Sequence, residues 1–370
     1  MKIPPAFSTY LDLVRAACAI AVVFHHYSKH IIKAFPRVFP NVGQEAVMVF
    51  FVLSGFVIAR VARSTENDPV VFATKRVARI YPVAIAGVLL SYLLYALCAP
   101  MAPGLYHDRV SSDPWWAEVA LTLTFLNQTI WLPYAMPPAN GPYWSLSCEV
   151  WFYVLATAMF FAPRRVSLLA IAFAFPILGP KIMLLFPVWL FGVGAERLCD
   201  RPRISRGWAG ALLVASLAAV VALWASDARD TWRVSAAATE EWRLGRTSDF
   251  LYYNLLGLLV GVNFFAAYNF FFSGPFRWPA AVRRGGRHAA ETSYSLYAMH
   301  FPILYALRSS LPDEPFMYFY PSATVVLVLL FGRPIENLRV PAYRLLRTLT
   351  ARVQPLLGRR PVLDPIDHFH

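Results

Sequence analysis

The sequence predicts an all-α polytopic membrane protein of about ten transmembrane helices, with both termini cytoplasmic and a re-entrant or interfacial segment near 115–132. Three observations predict it. Of the 370 residues, 58% are hydrophobic and 15% charged, and the mean hydropathy of +0.49 lies outside the range of soluble globular chains. The apolar residues gather into runs near the 20-residue length that a bilayer core requires. The net charge of +13 sits in arginines between those runs, as in cytoplasmic loops, so it speaks for membrane topology and not for nucleic acid.

In chain order the expected spans lie near 8–28, 44–63, 78–99, 146–162, 166–180, 181–198, 208–226, 249–272, 290–311 and 317–337. With the N-terminus inside, twenty-three Lys and Arg residues fall on the cytoplasmic side and ten outside. If 115–132 crossed as well, the basic groups around Arg164, Arg201 and Arg284 would face outward. That stretch is therefore read as re-entrant or interfacial, and Trp115, Trp116 and Trp131 at its ends suit an interface. The connection 226–248 mixes both signs of charge with Trp232 and Trp242; a solvated loop is favoured over a carbohydrate contact. From Arg339 to Arg360 basic residues alternate with leucines, which predicts a cytoplasmic tail, 339–370, on the inner membrane surface. The domain proper is 1–338.

Cys18, Cys98, Cys148 and Cys199 have neither metal-ligand nor redox spacing, so neither a disulfide scaffold nor a metal site is expected. The first apolar run lacks a small-residue cleavage site after it and is expected to stay as a span. No internal repeat is evident.

That first run, LDLVRAACAIAVVFHHY over 11–27, carries ionisable residues where they are costly. Arg15 and His26 are eleven positions apart, which on a helix puts them about 20° apart in rotation and roughly 16 Å apart in height. They share one face, as expected of a helix lining a buried cavity. His25, a further ~100° round, points elsewhere. Buried Arg15 needs a partner, and Asp12 or Glu149 are the candidates.

Five short segments carry a resemblance. Arg15 with His26 is the first; VFFVLSGFVI at 49–58, KRVARIYP at 75–82, WSLSCEVWFY at 144–153 and SYSLYAMHFPI at 293–303 follow in order. Together they resemble the acyltransferase-3 family of integral-membrane O-acyltransferases, in a stand-alone form without an appended esterase-like domain. The resemblance implies a fold of about ten spans in the cell inner (plasma) membrane, with cytoplasmic acyl-CoA, acetyl-CoA above all, as donor. The acceptor it implies is a glycan or lipid-linked glycan. It assigns catalysis to His26 and donor binding to Arg15, Arg76 and Arg79. The chain departs from the family pattern at Val150 and Trp151, where a carboxylate and a glutamine are frequent, and at Met48, where an aspartate is. These departures bear on the acceptor more than on the reaction.

Acyl transfer from a thioester to a hydroxyl needs a base, a group facing the oxyanion and a grip on the donor's phosphates. As general base His26 would take the hydroxyl proton; as nucleophile it would carry the acyl group. Arg76 and Arg79, three apart at a helix end, suit a phosphate clamp, although basic residues flank spans in any case. Glu149 is expected either to orient His26 or to pair with Arg15. His300 either lines the cavity or packs, and the Ser54–Gly55 step permits close helix approach. Tyr143, Trp144 and Trp151 suit sugar stacking or, preferably, an interfacial aromatic belt. Membrane lipid is the expected surrounding partner, and self-association is left open. The competing reading is a transporter or flippase for a glycan or lipid.

Overall fold

The computed structural model describes residues 3–31, 42–64, 68–107, 114–132, 135–201, 203–311 and 316–353. They are mostly helical, with no strand among the described residues. Among the described residues six stretches are long and apolar enough to cross a membrane: Pro5–Lys29, Gly43–Ser64, Pro69–Cys98, Gly141–Phe161, Arg206–Ala225 and Gly245–Phe272. The protein is a multi-pass membrane protein. The other four expected spans fall on shorter or less apolar helices.

In order, the first elements are α1 (Pro5–His26), α2 (Gly43–Ser64), α3 (Pro69–Cys98), the one-turn α4 (Pro103–Tyr106) and α5 (Trp115–Leu123). Next come α6 (Trp144–Phe161), α7 (Arg164–Leu178), α8 (Pro180–Met183), α9 (Phe186–Leu198) and α10 (Arg206–Ala225). Two short helices follow, α11 (Ala228–Thr231) and α12 (Ala236–Glu241). The chain then runs through α13 (Phe250–Phe272), α14 (Ala280–Glu291), α15 (Ser293–Ser310), α16 (Tyr320–Asn337) and α17 (Arg339–Val353). Local chemistry sets several boundaries. Asp68 caps α3 by accepting from the Val70 and Val71 amides at 2.8 and 3.0 Å, with Pro69 at the first position. Gly179, at φ 83°, ends α7 in a conformation that side chains resist.

α2 is the central helix: 78% of its most apolar window is buried, against 11% for α10. Its neighbour α9 approaches until the backbones touch. A Cβ on Gly55 would overlap the Trp189 carbonyl oxygen, and one on Gly192 would overlap that of Val52. The close approach expected at Ser54–Gly55 is thus a contact with α9. At one end of this pair Arg60 and Arg63 reach Glu196 at 3.0 and 2.9 Å, and Glu196 is wholly buried. Small residues bring the helices together, and charge pairs fix their register.

The segment 115–132 holds only the nine residues of α5 as regular helix, about 14 Å of rise, too short to cross a bilayer core. Trp115, Trp116 and Trp131 at its ends are exposed, as an interface would have them. The irregular chain after it is buried and supplies its own hydrogen bonds. Asn127 donates to the Ala135 carbonyl at 2.8 Å, Ser147 donates to Asn127 at 2.6 Å, and the Trp151 indole donates to the Phe125 carbonyl at 2.9 Å. Non-helical backbone is tolerated at membrane depth only where protein covers it in this way. Trp151 is therefore part of a buried brace.

The 226–248 connection is fastened down. Arg229 on α11 bridges Glu45 at the start of α2 (3.0 Å) and Asp249 before α13 (2.9 Å), while Arg233 binds Asp249 at 2.6 Å. Trp232 and Trp242 remain exposed. At the chain's end α17 lies along α3, with Tyr343 buried and the Lys75 ammonium 5.9 Å from its ring centre. The rest of the expected tail, 354–370, lies outside the described residues.

Candidate active site

α1, α2, α3, α6 and α15 converge on a cavity with about 690 Å³ of empty space. α2 lines it from Val47 to Ile58, eleven positions, so the cavity runs roughly 16 Å along that helix. Arg15, Arg76, Arg79 and Tyr294 gather toward the Ile58 end; Ser145, Leu146 and Tyr297 line the Val47 end. Ser54, Glu149 and Tyr153 lie between. Five of the residues singled out in the sequence, Arg15, Ser54, Arg76, Arg79 and Glu149, therefore share one wall-to-wall space although they come from four helices.

Among the described residues the lining carries three guanidinium groups against one carboxylate. Neither Arg15 nor Arg79 forms an ion pair with a carboxylate among the described residues; Asp12 and Glu149 act on Arg15, and Glu149 and Glu336 on Arg79, only through space. The expected Arg15–Asp12 or Arg15–Glu149 pair is thus not a contact. Glu149 is held otherwise: its Oε1 accepts from the Tyr153 hydroxyl at 2.5 Å, one turn along α6. It is not hydrogen-bonded to His26. The Ser54 hydroxyl sits between the Tyr153 hydroxyl (3.4 Å) and the Trp189 indole N–H (3.3 Å), so it is polar mortar between α2, α6 and α9. Guanidinium groups facing a protein-lined cavity can bind an anion.

His26 is buried at the end of α1, where the helix passes into a π-helical turn over Tyr27–Ile31. Its ring stacks on that of His300, with centres 5.3 Å apart and planes 28° apart, and meets Phe301 edge-on at 5.1 Å. His300 in turn lies one helical turn beyond Tyr297, whose ring centre is 6.0 Å from its own. The histidine pair therefore stands past the Val47 end of the cavity, behind Tyr297, and neither ring lines it. Tyr297 is pinned there: its hydroxyl donates to the Pro142 carbonyl at 2.8 Å and bonds the Ser145 hydroxyl. Arg15 and His26 thus mark the two ends of the space, with a tyrosine between the space and the imidazole. His25 is buried beside His26, its ring against Gly43.

Tyr143 and Trp144 are elsewhere. Both are buried, 1% and 4% exposed, which excludes the interfacial belt and an exposed stacking platform alike. Tyr143 stacks on Phe125, and Trp144 lies under the Arg246 guanidinium at 5.9 Å. Phe125, itself buried, covers Tyr143.

A family model described as an acyltransferase domain, Acyl_transf_3, matches residues 8–332. The chain belongs to the acyltransferase-3 family. The match takes in all five helices of the site and both histidines. Acyltransferase MdmB of Streptomyces mycarofaciens is 33% identical to this acyltransferase-3 chain over 121 residues, 31% of this chain. The aligned stretch spans 27% of that relative, about a quarter of its length. No solved structure matches the chain.

Sequence reasoning missed Tyr153, Tyr294 and Tyr297, which line the cavity of this acyltransferase-3 protein. A signal existed. Tyr153 follows Glu149 by four positions, and Tyr294, Tyr297 and His300 step by three, each set sharing a helix face. In an aromatic-rich chain those spacings read equally as core.

Proposed function

We propose that the protein is an O-acyltransferase of the cell inner membrane. It takes an acyl group, acetyl in the first instance, from cytoplasmic acyl-CoA and delivers it to a hydroxyl of an envelope or exported polysaccharide or glycolipid. Ten crossings with both termini cytoplasmic put the Arg15, Arg76 and Arg79 end of the cavity at the inner surface. There the guanidinium groups hold the donor's phosphates. The pantetheine arm extends along α2, past Ser54 and Tyr153, toward Tyr297 and the histidines. Coenzyme stays on its own side, and only the acyl group meets the acceptor.

One observation carries this reading: two half-buried guanidinium groups, without carboxylate partners among the described residues, open onto a cavity whose roughly 16 Å length ends at Tyr297, with an imidazole pair behind it. His26 is the catalytic imidazole, and Glu149, held by Tyr153, moderates the charge of the lining. The chemistry is acid–base and electrostatic, carried by side chains.

The test is transfer of label from [14C]acetyl-CoA to alkali-labile glycan by membranes carrying the protein. Wild type transfers label; His26→Ala stays in the membrane and does not. Acceptor movement with no release of CoA would replace this reading with that of a flippase.

A further inference from the structure

His300 is wholly buried on α15. Its Nδ1 lies 3.0 Å from the carbonyl oxygen of Leu296 and 2.8 Å from that of Tyr297. A carbonyl oxygen only accepts, so Nδ1 carries the proton, and the neutral ring presents Nε2 as a lone pair. Nε2 is buried and has no hydrogen-bond partner among the described residues. An acceptor left so costs stability and calls for an explanation. Packing alone would be served better by a phenyl ring. The unsatisfied nitrogen lies in the ring that stacks on His26, past the Val47 end of the cavity and behind Tyr297.

We propose that Nε2 of His300 is the base that takes the proton of the acceptor hydroxyl, in a site where His26 faces the acyl group. The inference rests on the acyl-transfer reading and divides its chemistry between two imidazoles. The hydroxyl's O–H bond breaks as its oxygen bonds to the acyl carbon, and the proton goes to Nε2. The thioester's carbon–sulfur bond then breaks, and the departing thiolate takes that proton and leaves as the free thiol of CoA. His300 ends neutral and no other reactant is consumed. The two carbonyls at Nδ1–H stabilise the imidazolium in the interval, the part a carboxylate plays in the serine-protease triad. Two rings this close in a low-dielectric interior do not both hold a charge, so the proton on His300 leaves His26 neutral beside the acyl carbon.

The test measures label transfer from saturating [14C]acetyl-CoA into alkali-labile glycan, alongside acetyl-CoA binding to the purified protein. His300→Asn keeps an N–H for the two carbonyls and lacks the second nitrogen. Its transfer rate is expected to fall about 100-fold or more, with the acetyl-CoA dissociation constant within about twofold of wild type. In His300→Ala, added imidazole restores part of the lost rate. Transfer by His300→Asn within threefold of wild type overturns the proposal, and so does a parallel loss of acetyl-CoA binding, which marks a packing role. Wild-type membranes that transfer no label bring down the acyl-transfer reading itself, and this proposal with it.

Discussion

The Tyr153 hydroxyl donates to Glu149 across one turn of α6, at 2.5 Å, inside the cavity where Arg15 and Arg79 stand without carboxylate partners among the described residues. A carboxylate four residues from its own donor does not need an arginine. The described lining sets three guanidinium groups against that one carboxylate, and several consequences can be measured.

Removing one of those charges should weaken the donor's hold. Hydrogen bonds to charged groups contribute about 1.5–3 kcal/mol, so Arg79→Ala is expected to raise the KM for acetyl-CoA roughly 10- to 100-fold. Arg79→Lys should recover only part of this, because an ammonium lacks the planar fork that matches a phosphate. Steady-state kinetics across an acetyl-CoA series check both. An unchanged KM in Arg79→Ala would remove this residue from the donor site.

Glu149→Gln preserves an acceptor for Tyr153 and deletes the sole carboxylate among the described residues of the lining. Donor affinity should hold or tighten, since the cavity becomes more positive, while turnover falls. Tyr153→Phe instead strands a charged oxygen without its donor, at a cost of about 1–3 kcal/mol. Acetyl-CoA binding separates the two variants, and thermal unfolding in detergent should show a lower midpoint for Tyr153→Phe alone.

Where α2 meets α9 there is no room for a side chain. Gly192→Val must push Val52 and Phe56 away, and overpacking of this kind costs about 1–3 kcal/mol or more. Gly194, two residues on, has no heavy atom of a neighbour within 4 Å of where a Cβ would sit. Gly194→Ala is the matched control and should unfold at the wild-type temperature. Equal midpoints for Gly192→Val and Gly194→Ala would contradict the packing described.

Arg229 ties three elements together through Glu45 and Asp249. Its side chain is 21% exposed, so breaking the cluster should cost less than the ~3–5 kcal/mol of a fully buried pair. Arg229→Ala is expected to free the 227–244 connection for limited proteolysis before the rest of the protein opens. Resistance equal to wild type would show that Arg233 and Asp249 suffice.

Much of the molecule was legible in the chain because it depends on one helix at a time. Apolar run length marked the six stretches that the structure gives as helices long and apolar enough to cross, since a bilayer admits little else. The eleven-residue interval from Arg15 to His26 set their height difference before any packing was known, since helix rise is constant. The small step at Ser54–Gly55 announced a close contact, though not that α9 would make it. The five segments that resembled acyltransferase-3 proteins also proved to carry the cavity's arginines, its carboxylate and the histidine pair.

Choices made between helices were not legible. Periodicity gives the face on which a residue lies, and several neighbours compete for that face. Only the packed structure decided that Glu149 turns to Tyr153 and leaves Arg15 without it, that His26 stacks on His300, and that Tyr297 stands between them and the cavity. Tyr143 and Trp144 were drawn into the interior for the same reason, because the loop before α6 folds inward and hydrogen-bonds to itself. Rise and hydropathy belong to the sequence, being properties of single segments. Partnership is settled by which side chains arrive together when five helices close on one space.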